Sequence, residues 1–400
     1  MNLSDLIGQD VAVGILQRAM QRGAIAHAYL FEGPEGVGKR TAALLLARAL
    51  NCSQGGCGHC ETCRKIEAGS HPDVRMIGPA DGALAGASTE LLEALGERAV
   101  IGINEMRADP EKPRRSPAPL LEDAYLKPYS GPWKAYIVDP ADRLTPEAAN
   151  ALLHILEEPP PRVVLVLVTC RPDALLPTVL SRCQPVRFQT AKVEQVEKAL
   201  NERGVNGDRA HLIARLSGGR VGWALGVAGR PEWLATRARL LEWLSGLPAA
   251  DFRSAIRHAA ELRDLALATW QEEMEQAGFP ALNLPQQFEP SAEEDEDPEE
   301  GAAEASRMQL TRNQRLRARL PLFFDIMATW YRDALLIKVG RSAGIINHDM
   351  REALASPARR SVEALAAAVA ALAEAKDHLR CYSNVDLTLE NLLLRLLIPE

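Results

Sequence analysis

The sequence contains no apolar run near the ~20 residues that a bilayer-spanning helix needs. Its longest mainly apolar runs, residues 163–170 and 364–373, reach at most half of that length. The first ten residues, MNLSDLIGQD, lack the basic start and the apolar core of a secretory signal. Four of the seven cysteines lie between positions 52 and 63, a crowding typical of a metal site in a reducing compartment rather than a disulfide framework. These features together predict a cytoplasmic protein without membrane contact.

A surplus of positive charge, which nucleic-acid binding favours, is also missing. The formal net charge is −7. Residues 291–305 carry eight acidic and no basic residues, so the rest of the chain has a net charge of +1. The overall charge therefore neither supports nor excludes a DNA partner. The length of 400 residues allows two or three domains, and 47% hydrophobic residues are ordinary for a globular protein.

Strand-like and helix-like segments alternate over about the first 190 residues. The strand-like segments are residues 28–31, 134–139 and 163–169, and the helix-like segments are residues 41–50 and 146–158. Such alternation is typical of a parallel sheet covered by helices. We therefore predict an α/β domain over residues 1–190.

Strand signals fade after residue 190, and helix-like segments follow. We predict a small helical lid domain over residues 191–235 and an all-α domain over residues 236–400. Residues 279–305 interrupt this second domain with a segment rich in proline, glutamine and acids, which predicts disorder or a surface loop. Residues 109–132 contain six prolines and predict an extended loop.

Residues 33–41, GPEGVGKRT, differ at one position from a phosphate-binding loop, G-x-x-x-x-G-K followed by serine or threonine. Backbone N–H groups of such a loop cradle phosphate oxygens, and the lysine adds positive charge at the outer phosphates. In this chain an arginine replaces the hydroxyl that binds magnesium, and a threonine follows about 100° further round the helix. The candidate phosphate-binding residues are Gly33, Gly36, Gly38, Lys39, Arg40 and Thr41.

Asp139 ends the strand-like run KAYIVD, where such proteins hold magnesium with an acid. Active enzymes of this broad class place a glutamate next, but this chain has Pro140, and Asp142 should lie at a different depth. A purely structural role of Asp139 at the strand end is at least as consistent with the sequence. The pattern predicts inefficient ATP hydrolysis and leaves binding of ATP and Mg²⁺ open.

A four-cysteine module lies between the loop and the next strand-like segment. Thiolates at these spacings can converge tetrahedrally on a structural zinc ion. An iron–sulfur run would need cysteine at position 67 and proline at position 68, where the chain has Glu67 and Ala68. His59 and His71 are spare candidate ligands. The predicted zinc ligands are Cys52, Cys57, Cys60 and Cys63.

Several motifs in one order resemble a known family. They are LIGQ (6–9), AHAYLFEGPEGVGKRT (26–41), the cysteine module, LKPY (126–129), KAYIVDPADRLTPEAANALLHILEEPP (134–160), LLPTVLSRCQPVRF (175–188), SGGRVGWAL (217–225), NVDL (384–387) and LENL (389–392). The chain is similar to the δ′ subunits of bacterial DNA polymerase III clamp loaders, a branch of the AAA+ clamp-loader family. The likeness is dense over residues 1–230 and thinner beyond.

This resemblance implies a subunit of the DNA polymerase III holoenzyme. The family forms a five-subunit ring with motor subunits (τ/γ) and a δ subunit, with ATP at subunit boundaries. The ring opens a sliding clamp and places it on primed DNA. The resemblance assigns Arg182 of the S-R-C motif as an arginine finger for the neighbouring ATP site, and the C-terminal helices as the oligomerisation collar.

Departures from the family decide between its members. A motor subunit should have a hydroxyl, an acid and an arginine where this chain has Arg40, Pro140 and Gly222. His154 stands where family members often have a basic residue. We interpret the chain as a largely non-catalytic stator without efficient ATPase of its own. The alternatives are a catalytic τ/γ-type motor, a stand-alone AAA+ ATPase and a zinc-containing nucleic-acid-binding protein.

Overall fold

The protein is described by a computed structural model over residues 2–79, 100–107, 118–247, 252–276, 312–341, 344–381 and 383–397. The described residues form two compact units, one up to Gly229 and one from Arg230. The acidic segment 279–305 and residues 109–117 of the predicted proline-rich loop lie outside the described residues.

The first unit alternates strands and helices along the chain. Its strands are β1 (Ala28–Glu32), β2 (Val74–Ile77), β3 (Lys134–Val138), β4 (Val163–Thr169) and β5 (Gln184–Arg187). Its helices are α1 (Asp10–Gln21), α2 (Lys39–Asn51), α3 (Glu61–Glu67), α4 (Ile103–Met106), α5 (Leu120–Ala124), α6 (Pro146–Glu157), α7 (Pro177–Leu180), α8 (Val193–Asn201), α9 (Gly207–Ser217) and α10 (Val221–Ala228). Short 3-10 turns occupy Leu3–Asp5, Ala141–Arg143 and Pro172–Ala174.

The five strands form one parallel sheet in the order β2-β3-β4-β1-β5. Strand β4 lies at the centre, with Val163 opposite Lys134 of β3 and Leu165 opposite Ala28 of β1. Every residue of β4 is buried, as its uninterrupted apolar sequence predicts for a strand covered on both faces. The parallel α/β fold predicted for the N-terminal region is thereby confirmed.

Helices cover both faces of this sheet. Successive strand residues point to opposite faces. Phe31 therefore packs in a core with residues of α1 and α2, including Leu46. Leu30 instead packs in a second core with residues of α6, including Leu152. Because the strands are parallel, the loop after β1 and Asp139 after β3 lie at the same end of the sheet, next to the start of α2.

Local sequence signals explain the helix ends next to the sheet. Helix α6 begins after Thr145, whose hydroxyl accepts a hydrogen bond from the Ala148 N–H at 3.2 Å, and Pro146 occupies its first turn. Helix α9 ends at Gly218, which adopts the left-handed conformation with φ of 57°. The start of α6 agrees with the helix predicted over residues 146–158.

Neither edge strand, β2 or β5, was predicted from the sequence, and the helices α1, α3, α4, α5 and α7 were not predicted either. Strand β5 contains Pro185 and is mostly exposed, so it lacks a buried apolar signal and lies at the sheet edge, where proline is tolerated. Strand β2 is the opposite edge and only four residues long. Helix α5 lies within the proline-rich region where an extended loop was predicted, and that prediction is wrong there.

The second unit is helical among its described residues, which confirms the predicted helical C-terminal region. Its helices are α11 (Pro231–Ser245), α12 (Phe252–Gln276), α13 (Arg312–Lys338), α14 (Val362–Arg380) and α15 (Val385–Leu397), with 3-10 turns at His348–Met350, Ala353–Ala355 and Pro357–Arg359. The domain limits at residues 190 and 235 stay predictions. Within the described ranges no helix combines the length and the apolar character needed to span a membrane.

A buried polar network joins elements of the second unit. Arg237 of α11 is 1% exposed and donates hydrogen bonds to Asp349 at 2.6 and 2.9 Å and to Asn347 at 2.5 Å. Asp333 of α13 in turn accepts the Asn347 N–H at 2.7 Å. Removing one partner would leave a buried charge uncompensated, which is costly. Nothing in the spacing of these residues in the sequence indicated the network.

Candidate functional site

The glycine-rich loop lies between the end of β1 and the start of α2. Gly33, Gly36 and Gly38 have φ values of 143°, 72° and 102°, a region that side-chain-bearing residues rarely adopt. A Cβ atom on Gly33 would lie 2.3 Å from the Phe188 carbonyl oxygen, so only glycine fits this approach. The loop therefore has the backbone of a phosphate cradle at a helix start, as the motif predicts.

Lys39 closes the loop on itself. Its Nζ donates hydrogen bonds to the carbonyl oxygens of Gly33 and Pro34, both at 2.6 Å, and the residue is 7% exposed. Burial lowers the pKa of Lys39, while nearby acids including Asp139 oppose that effect. The ammonium group is thus held by two backbone carbonyl oxygens at the start of the loop.

Gln9 anchors the loop to the sheet. Its amide nitrogen donates to the Gln189 carbonyl oxygen at 2.6 Å, and its amide oxygen accepts the Gln189 N–H at 3.1 Å. The same nitrogen lies 3.4 Å from the Val37 carbonyl oxygen within the loop. Gln9 belongs to the LIGQ motif, but the sequence alone assigned it no role.

Arg40 and Asp139 face each other at the carboxyl edge of the sheet. The Arg40 Nε lies 3.9 Å from an Asp139 carboxylate oxygen; the Arg40 side chain is 40% exposed and that of Asp139 is 10% exposed. Burial raises the pKa of Asp139 to about 6, although Arg40 and Lys39 act in the opposite direction. Thr41 is exposed. A magnesium ion does not fit this residue set, because a guanidinium occupies the hydroxyl's position and lies beside the acid.

Asp142 is engaged elsewhere. Its carboxylate accepts hydrogen bonds from the Thr169 hydroxyl at 2.7 Å and from Arg171 at 3.0 and 3.2 Å, and the side chain is 3% exposed. Thr169 ends β4. Asp142 therefore works in a structural network next to the loop, and neither Thr169 nor Arg171 was picked out from the sequence.

Helix α10 begins directly on the loop. The Gly222 N–H donates to the Gly36 carbonyl oxygen at 2.7 Å, and a Cβ atom on Gly222 would lie 3.0 Å from that oxygen. Arg220 bonds the Ser217 carbonyl oxygen at 2.9 Å and stacks over the Trp223 ring at 5.1 Å. The place where a motor subunit would present an arginine thus holds a glycine in close backbone contact.

The raised pKa of Asp139 makes stability depend on pH. The folded protein holds this proton up to about pH 6, whereas an unfolded carboxyl loses it near 3.8. The free energy of unfolding therefore falls as the pH rises from 3.8 to about 6, because the folded protein must then bury a charged carboxylate. The full loss is present above about pH 6, and almost none of it below pH 3.8. We expect Asp139→Asn to raise the free energy of unfolding at neutral pH by up to about 3 kcal/mol, the equivalent of that pKa rise.

The measurement is urea unfolding of the wild-type protein and of Asp139→Asn at pH values from below 3.8 to above 6. The exposed Asp173→Asn variant, from the turn after β4, is the matched control and should change little. A stability difference between wild type and Asp139→Asn that stays constant with pH would contradict the burial argument.

The four predicted cysteine ligands converge. Their sulfur atoms all lie within 4.8 Å of one another, with Cys52 3.7 Å from both Cys57 and Cys60, and Cys57 4.0 Å from Cys63. Tetrahedral Zn–S bonds of ~2.3 Å place sulfurs ~3.8 Å apart, so the donor set fits such an ion. The cluster can hold a metal ion.

Hydrogen bonds within the cluster shift the pKa values of its thiols, and the two nearby histidines contact backbone groups. Burial acts to raise the pKa of Cys52, but hydrogen bonds from the surrounding backbone outweigh it and lower the value to about 6. Backbone bonding from Cys63 lowers the pKa of Cys60, yet the neighbouring thiols raise it to about 11. His59 contacts the Cys57 carbonyl oxygen at 3.1 Å, and His71 accepts the Asp73 N–H at 3.1 Å, so both imidazoles have structural contacts outside the four-sulfur set.

Arg182 lies at the end of the sheet where the strands begin, whereas the loop lies at the end where they finish. Strand β5 starts at Gln184, which pairs with Tyr29 near the start of β1, whereas the loop follows the end of β1. Parallel strands all begin at the same end of the sheet, and Arg182 comes just before the start of β5. It therefore lies at the opposite end of the sheet from this chain's own loop. Its side chain is 36% exposed and forms a 2.7 Å ion pair with Glu157 at the end of α6.

His154 lies exposed on α6 beside Tyr125, with 6.0 Å between the ring centroids. Both residues line an open groove whose wall also includes Ile103, Arg107 and Leu121. This places His154 away from the loop residues, on the helix that also carries Glu157.

Comparisons with known proteins place the chain among replication proteins. A family model described as "DNA polymerase III, delta subunit" matches residues 8–192, and one described as "DNA polymerase III, delta subunit, C terminal" matches residues 309–397. DNA polymerase III subunit delta' of Bacillus subtilis is 27% identical over 386 residues, which cover 96% of this chain and 94% of that protein.

Other relatives match in part or remotely. DNA polymerase III subunit tau of Escherichia coli is 34% identical over 56% of this chain, but the match spans only 32% of that protein. A solved DNA polymerase III gamma subunit-related protein of Thermotoga maritima is 17% identical, covers 95% of this chain and 98% of its own, and has a TM-score of 0.46.

Proposed function

Because the chain belongs to the DNA polymerase III delta-subunit family of clamp-loader proteins, we propose that it acts as a δ′-type subunit in DNA replication. It works in a complex with other clamp-loader subunits. We place it in a five-membered ring with motor subunits of the τ/γ type and a δ subunit, which opens a sliding clamp and loads it onto primed DNA. Its own role is that of a largely non-catalytic stator.

The pairing of Arg40 with Asp139 is the observation that carries the non-catalytic assignment. Phosphoryl transfer from ATP to water needs a metal ion held by a hydroxyl and an acid, and a residue that positions the water. Here a guanidinium stands in the metal's place, and Pro140 follows the acid. The loop retains its cradle and Lys39, so this chain can bind phosphates without being equipped for hydrolysis.

Arg182 is the residue through which this subunit contributes to ATP chemistry. A guanidinium brought to a transferring phosphoryl group neutralises its developing charge. Two observations support action on a neighbouring subunit's ATP site. Arg182 lies at the end of the sheet opposite to its own loop, and its side chain is partly exposed. Glu157 restrains the side chain until the neighbour's phosphate competes for it.

We infer that the cluster of Cys52, Cys57, Cys60 and Cys63 binds a structural zinc ion. The sulfur separations and the all-cysteine donor set support this assignment. Zinc would link the loop after α2 to the first turn of α3 and contribute free energy to the fold.

Reconstitution tests the assignment directly. The purified chain should form one complex with the τ/γ and δ proteins of the same organism on size-exclusion chromatography. That complex should load the sliding clamp onto primed DNA, and omission of this chain should abolish loading. Failure of the chain to enter the complex, with the other subunits folded, would refute the proposal.

ATP turnover by the isolated chain separates the stator from its closest rival, a τ/γ-type motor. That rival is favoured by the retained Gly33, Gly38 and Lys39. We expect the isolated wild-type chain to hydrolyse ATP no faster than its Lys39→Ala variant. Turnover in the range of ~1–100 s⁻¹ that Lys39→Ala abolishes would establish the motor instead.

A further inference from the structure

We propose that the guanidinium of Arg40 replaces the divalent cation of a conventional phosphate-binding loop, so that this loop binds the phosphates of a nucleoside polyphosphate without magnesium. The inference rests on the proposed function in one respect, namely that the loop keeps its phosphate cradle. It goes beyond that function because it specifies the ionic form of the ligand, the metal-free polyanion.

The position of Arg40 supports the replacement. In a conventional loop the residue after the lysine supplies a hydroxyl to a magnesium ion, which lies between the outer phosphates and an acid on the neighbouring strand. Here that residue is Arg40, and the acid is Asp139, which follows β3, the strand next but one to β1, and lies 3.9 Å from the Arg40 Nε. The positive charge and the acid of the conventional site are both present, but the charge belongs to the protein.

The chemistry of the guanidinium suits this task. Arginine presents five N–H donors in a planar fork that matches phosphate oxygens, so one group can face a carboxylate and a phosphate together. The 3.9 Å separation from Asp139 is longer than a hydrogen bond, and the Arg40 side chain is 40% exposed, so part of it is open to solvent.

Magnesium is disfavoured at the same place. A divalent cation at Asp139 would have to lie beside the Arg40 guanidinium, and the exposed Thr41 hydroxyl lies one residue further round α2. Asp142 is bound by Thr169 and Arg171 and offers no ready substitute ligand. Lys39 and Arg40 place two adjacent positive charges at the start of α2, with the acids Asp139 and Glu35 near Lys39. A polyphosphate without a metal carries more negative charge than its magnesium complex, so these two cations favour the metal-free form.

Nucleotide titration with and without magnesium tests the inference. A fluorescent ATP analogue is titrated into the full chain in excess EDTA and in excess Mg²⁺. We expect wild-type protein to bind at least as tightly in EDTA as with Mg²⁺. Arg40→Ser, which restores the conventional hydroxyl, should bind about tenfold to hundredfold more weakly in EDTA and should regain affinity when Mg²⁺ is added.

Controls make each outcome decisive. Lys39→Ala should abolish binding in both conditions, and Arg22→Ser, an exposed arginine after α1, should leave both affinities unchanged. Arg40→Lys retains the charge and serves if Arg40→Ser does not fold. Wild-type binding that requires Mg²⁺ would overturn the inference, and so would folded wild-type protein that binds nucleotide in neither condition. Neither result would affect assembly into the clamp loader, so failure of the inference is distinguishable from failure of the proposed function.

Discussion

Replacing Arg182 with alanine is expected to leave the chain folded and to cut ATP turnover at the neighbouring site by about 10³-fold or more, the usual contribution of an arginine finger. The fold should survive because the side chain is 36% exposed and its ion pair with Glu157 lies at the surface. Surface ion pairs of this kind contribute only ~0–1 kcal/mol. The measurement is DNA-stimulated ATPase of the reconstituted loader, with incorporation of the variant verified by chromatography.

Two further variants sharpen that experiment. Arg187→Ala removes an arginine close to Arg182 in sequence but at the far end of β5, one that is 82% exposed and paired with Glu32, and it should leave turnover unchanged. Arg182→Lys keeps the charge but loses the planar fork, so it should recover little of the activity. Unchanged turnover of a loader that contains the Arg182→Ala subunit would eliminate the finger.

Cys60→Ser should lose the bound metal and destabilise the first unit by about 3 kcal/mol or more, since structural zinc contributes directly to folding free energy. Cys60 caps α3 and lies 3.7 Å from Cys52, so its loss opens the link between α2 and α3. The melting temperature should fall by ~2–4 °C for each kcal/mol in a domain of ~150–250 residues.

Metal content and thermal melting are to be measured on the same samples. The matched control is Cys381→Ser, because Cys381 is an exposed free thiol outside the cluster. A chelator should reproduce the effect of Cys60→Ser on wild-type protein. Metal-free wild-type protein that melts at the same temperature as the metal-bound form would rule out a structural metal.

The central elements of the fold could be predicted because their signals are local. Strand β4 is apolar at every position but its last, and α6 has a proline in its first turn and a proline run after its end. The edge strands β2 and β5 could not be predicted in this way. An edge strand is defined by pairing with a partner distant in sequence, and its own residues need not be apolar.

The candidate site likewise contains parts that the sequence predicted and contacts that it did not. The glycine loop and the cysteine spacing are contiguous motifs, and the four cysteine sulfur atoms lie within 4.8 Å of one another. Phosphate binding by the loop and zinc binding by the cysteines stay predictions. The ion pair of Arg40 with Asp139 joins positions about a hundred residues apart, so sequence indicated each partner but not their contact. The ion pair of Arg182 with Glu157 was predicted less fully still, because the sequence indicated Arg182 but not Glu157, which lies 25 positions earlier at the end of α6.

The contact of α10 with the loop bears on how the site would accept the arginine expected of a motor subunit. An arginine at Gly222 would place a Cβ atom 3.0 Å from the Gly36 carbonyl oxygen, so the loop or the helix would have to shift by a few tenths of an ångström. The Gly222 N–H donates to that same oxygen at 2.7 Å, so the shift would also alter this hydrogen bond. Conversion to a motor-type site would therefore need an adjustment of the backbone as well as new side chains at Arg40 and Pro140.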